Sequence, residues 1–82
     1  MLGTKLESVS VYAVLQRINR KLAPEHQAVR KSRGRDRASI GEYYLRDEYR
    51  NVVVETTVDV EAMGRKLGVV ATWETVVNEQ PE

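Results

Sequence analysis

The sequence predicts an α+β domain: a long N-terminal helix, an antiparallel β-hairpin with room for a third short strand, and a short C-terminal helix. Three stretches carry that prediction. Residues 41–55 set Tyr43, Tyr44, Leu45 and Val52, Val53, Val54 on either side of the polar run 47–51, the composition of two strands and a turn. Val11, Val14, Leu15, Ile18 and Leu22 recur at helical spacing, within an arc of about 100°. Asp59, then Val60, Met63 and Leu67, then Gly68 describe a short helix with both ends marked.

Taken in order, residues 1–8 show no period and read as a flexible lead-in to a single domain spanning 9–77. Ser8 or Ser10 supplies a hydroxyl to cap the first helix. Pro24 should kink that helix, since it lacks an N–H and crowds the preceding turn. Val29 follows Val11 by a whole number of turns, so the helix is expected to resume and run to about Lys31. Residues 32–39 (Ser-Arg-Gly-Arg-Asp-Arg-Ala-Ser) read as a basic loop.

Parity sets the hairpin register. An even loop places Tyr43 and Leu45 with Val52 and Val54 on one apolar face, and leaves Tyr44, Arg46, Val53 and Glu55 on the other, with Arg46 near Glu55. The second arm is expected to continue through residue 58, where Val58 and Met63 take the staple positions around the Asp59 cap. Gly64 is read as a point of close approach to the sheet. Residues 69–71 are the candidate third strand, with Trp73 closing the core over it, and 78–82 a flexible tail. The expected core is Leu15, Ile18, Leu45, Val54, Met63 and Leu67.

Composition narrows the function. Without cysteine there is neither a disulfide framework nor a thiolate metal site, which fits a cytoplasmic protein. Lys5, Glu7, Ser8 and Ser10 interrupt any signal-peptide core, and no apolar run approaches a membrane span, so no membrane association is expected. Catalytic chemistry is sparse. His26 is the one histidine, Glu25 beside it points elsewhere on a helix, and no glycine-rich phosphate loop exists. Asp47 and Glu48 read as turn residues, Asp59 and Glu61 as capping residues. The expectation is a protein that is not an enzyme and holds neither metal nor cofactor.

Charge is the one constellation that points to a partner. Residues 1–40 carry nine Lys and Arg against three carboxylates, a net of +6, and residues 41–82 carry four against nine, a net of −5. Arg17, Arg20 and Lys21 share the helix back, opposite the apolar stripe, and Arg30, Lys31, Arg33, Arg35 and Arg37 follow within eight residues. Arginine suits bidentate contact with phosphate oxygens, so these eight are the candidate contacts to DNA or RNA. Against that stands a solvated helix back and loop, balanced by the chain's own acidic half. Tyr44 and Tyr49 are candidates for stacking on a base or anchoring a protein partner. The valine-rich second arm has few charges to guard its edge, which favours a homodimer through that strand.

The helix–strand–strand–helix order resembles that of double-stranded-RNA-binding domains and of the small toxin ribonucleases built on that fold. Those proteins have a third strand before the last helix, and the toxins a strand histidine, whereas His26 is read here in the first helix. The sequence on its own therefore yields no family. It favours a small non-catalytic nucleic-acid-binding module; the alternative is a protein-binding accessory or inhibitor of the kind phages and mobile elements encode.

Overall fold

A computed structural model describes residues 6–77. The broad α+β class holds, with more strands than expected. In chain order these are β1 (Glu7–Ser10), α1 (Val11–Leu22), a 3-10 turn (Ala23–Glu25), β2 (Gln27–Lys31), α2 (Asp36–Ile40), β3 (Tyr43–Asp47), β4 (Val52–Glu55), α3 (Val60–Lys66) and β5 (Glu74–Val77). β2, β3 and β4 form an antiparallel sheet in that order, while β1 and β5 make a separate parallel pair, Val9 opposite Val76.

α1 begins where Ser10 Oγ accepts from the Ala13 N–H at 3.1 Å. It is shorter than expected. Pro24 enters the 3-10 turn at its first positions, and His26 adopts a left-handed φ of 60°, which reverses the chain. Val29, in phase for a helix, is also the inward residue of a strand; it is buried in β2 opposite Leu45. The third strand before the last helix is therefore β2, and the short α2 stands between it and the hairpin. His26 still lies in a turn, not on a strand.

Other expectations are corrected at the ends. Part of the supposed lead-in, Glu7 and Ser8, belongs to β1, and residues 1–5 and the tail 78–82 lie outside the described residues. The supposed basic loop contains α2. Residues 69–71 form no strand. The C-terminal strand is β5, which pairs with β1 and leaves the hairpin alone, and Trp73 is 51% exposed and closes nothing.

The hairpin turn is even, as parity required. Asp47 stands opposite Val52, and the Asp47 side chain accepts from the Tyr49 and Arg50 N–H groups at 3.0 and 2.8 Å, while Asn51 takes the left-handed position. A bulge then shifts the register. Arg46 faces Val53 but Leu45 faces Glu55, so Val54 has no partner and is exposed. Leu45 is buried as expected and Val54 is not; Arg46 lies nearest Glu48, not Glu55.

The core is aliphatic: Val9, Val14, Ile18, Val29, Leu45, Val58, Val60 and Val70. Leu15, Met63 and Leu67 pack on its rim, half-buried. α3 has the ends the sequence marks. Asp59 accepts from the Ala62 N–H at 3.1 Å. At the other end Gly68, at φ 76°, and Val69 return N–H bonds to the Arg65 and Gly64 carbonyls at 3.1 and 2.9 Å. Gly64 does allow a close approach, but to α1 and not to the sheet: a Cβ there would stand 3.0 Å from Val14 Cγ1 and 2.7 Å from Val70 Cγ2.

Candidate functional site

Helix geometry decides what the basic residues of α1 can reach. Asn19 faces β2, where its amide donates to the Val29 carbonyl at 3.2 Å and accepts from the Val29 N–H at 2.7 Å. Arg17 lies about 200° round the helix from Asn19, so it faces away from that strand, with Arg20 and Lys21 within about 60° of it. Arg17 is not a free cation. Its guanidinium donates to the Val69 carbonyl at 3.0 Å and to Glu74 Oε1 at 2.9 Å, tying α1 to the segment after α3 and to β5. That hydrogen bond, seconded by one from the Ala71 N–H, holds the Glu74 carboxyl below the usual range; Arg17 in turn is pushed up.

Arg20 and Lys21 are exposed and make no ion pair among the described residues. With Arg17 and Val69 they line an open hollow of about 570 Å³. Favourable placement at the negative end of α1 accounts for them structurally as well.

The second group follows β2. Lys31, Arg33 and Arg35 are exposed and unpaired among the described residues, and Arg37 approaches Glu42 at 4.0 Å. Ser32 pins this excursion. It is buried, its N–H donates to the Glu42 carbonyl at 2.8 Å, and its hydroxyl donates to the Gly41 carbonyl. Gly41, at φ 81°, sits against Thr57, where a Cβ would come within 2.7 Å of Thr57 Cα. Arg33 lies two residues past the end of β2. Apart from Arg30, the candidate cations therefore fall into separate groups, one on the side of α1 away from β2 and one running from the last residue of β2 into α2.

Arg30 belongs to neither group. It points from the sheet face opposite the core and grips Glu48 with two bonds of 3.2 Å, which hold the Glu48 carboxyl below its usual range. Tyr44, half-buried, stands directly across from Arg30 on that face, and Arg46 lies two residues further along β3. Arg46 Nε is buried without a hydrogen-bond partner. Tyr49 is 82% exposed at the turn, its ring 5.6 Å from that of His26.

Asn19 and Glu74 are the residues that sequence reasoning passed over. Asn19 left a signal, an amide directly beside the buried Ile18; the partner of Arg17 left none, since Glu74 is 57 residues away. No helix among the described residues is long and apolar enough to cross a membrane. Compared with protein-family models, curated proteins and solved structures, the chain finds no significant match in any of the three.

Proposed function

We propose that this protein is a small non-catalytic module that binds nucleic acid through phosphate contacts from Arg20 and Lys21 on α1, from Lys31 at the end of β2 and from Arg33 and Arg35 between β2 and α2. The observation that supports it is the distribution of ion pairs. Carboxylates of the acidic half engage Arg17, Arg30 and Arg37, and these five cations remain exposed without one among the described residues. Such contacts position a backbone and carry no sequence information of their own. The order α1, β2, β3, β4, α3, with the short α2 inserted after β2, adds support only as resemblance, since a fold does not fix a function.

The test is a fluorescence titration of wild type, Arg20→Glu/Lys21→Glu and Arg33→Glu/Arg35→Glu against a duplex and a single strand, with a thermal melt of each protein. Both reversals should weaken binding about equally on unrelated sequences and leave the melts nearly unchanged. Arg17→Glu differs: it sets a carboxylate against Glu74 and should lower the melting temperature as well. Absence of wild-type binding at low salt would end this reading.

A second reading, a protein-binding accessory or inhibitor, is favoured by the exposed Tyr49 and Trp73, side chains of the kind that anchor protein interfaces. Salt separates the two: binding anchored on aromatic side chains should persist at salt concentrations that release a nucleic acid.

A further inference from the structure

The three-stranded sheet has two edges that are treated differently. On β2 the outward N–H and C=O of Val29 are both bonded by the Asn19 amide, so α1 covers that edge. β4 bonds only to β3 among the described residues. Its Val52, Val53 and Val54 are 49%, 46% and 50% exposed, and the strand has no lysine or proline to discourage pairing.

The charges flanking this strand identify its occupant. Arg50 precedes β4 and Glu55 ends it, both exposed and neither in an ion pair among the described residues. The edge is therefore positive at its start and negative at its end. We propose that β4 pairs antiparallel with β4 of a second copy of this chain, joining two three-stranded sheets into one of six strands. Antiparallel pairing about a two-fold axis perpendicular to the sheet brings the Arg50 end of each strand beside the Glu55 end of the other, so the complementarity is satisfied twice. Parallel pairing would bring like charges together. The unpaired Val54 at the bulge limits the regular stretch, so the contact is smaller than those of stable complexes, and copies exchange.

This dimer stands apart from the nucleic-acid reading, because neither Arg50 nor Glu55 is among the proposed phosphate contacts. Sedimentation velocity of the full chain over a concentration series, without nucleic acid, tests it. Wild type should shift from monomer toward dimer. Arg50→Glu and Glu55→Arg should each weaken association by about tenfold, through repulsion introduced at two symmetric sites. An equimolar mixture of the two variants, and the doubly reversed chain, should regain it, while circular dichroism shows every variant folded. Monomer at all wild-type concentrations overturns the proposal, as does association that ignores the single reversals or is not restored by the mixture.

Discussion

Gly64→Ala sets two effects of known sign against each other. In an exposed helix this substitution stabilises by about 1 kcal/mol, since alanine loses less backbone freedom on folding than glycine. Gly64 is buried where α3 meets α1, and its missing Cβ faces Val70 Cγ2 at 2.7 Å and Val14 Cγ1 at 3.0 Å. Both neighbours are themselves buried, at 7% and 0% exposure, and a valine side chain has no flexible end to swing aside. Overpacking of this kind costs about 1–3 kcal/mol. The steric cost wins, and the variant should be less stable by roughly 1 kcal/mol net. In a domain of this size that is a fall in melting temperature of about 4–8 °C. Urea and thermal unfolding of the two proteins measure it, and a midpoint that rises would refute the packing argument.

Two further changes probe contacts that hold the domain together. Asn19→Ala strips the Val29 N–H and C=O of their partner at a half-buried position and should cost about 1–3 kcal/mol, read from denaturant midpoints. Glu74→Gln should flatten the acid limb of the stability–pH curve. Arg17 holds the folded-state pKa of Glu74 below its ordinary 4.5, so the unfolded chain binds more protons between the two values. The contribution is complete above the unfolded pKa and lost as pH falls through the folded one. A melt series from pH 6 to pH 2 with identical acid limbs for both proteins would contradict it.

The parts legible in the sequence were those encoded by neighbours. Ser10, Asp59 and Gly68 end helices through bonds three to five residues away, and the four-residue turn follows from Asp47 and Asn51. Those that were not legible depend on distant partners. Val29 satisfies helical phase and strand alternation equally, and only its burial against Leu45 together with the Asn19 bridge decides between them. The bulge at Val54 has no local mark, because three successive valines look alike in either register. Among the eight candidate cations, spacing gave position along the chain but could not reveal that Arg17 is held by Glu74 or Arg30 by Glu48.

That pairing changes what the charge asymmetry is worth to a partner. Counted along the sequence, eight cations offered to a duplex would release counterions with a log–log salt slope of about −7, at roughly 0.9 per phosphate neutralised. Three of the eight already have a carboxylate beside them. For Arg17, Arg30 and Arg37 to meet phosphates, Glu74, Glu48 and Glu42 must be displaced or left facing the anion. The two groups, carried by different elements, also have to reach the same strand or two different ones. Five available cations give a duplex slope of about −4 to −5, and about −3 to −4 for a single strand, at the lower charge density of that polymer. A measured duplex slope near −7 would show that the internal pairs open on binding, and Glu74→Gln would then strengthen binding. A slope near −4.5, insensitive to Glu74→Gln, is the outcome expected if the pairs belong to the fold and the five exposed cations to the partner.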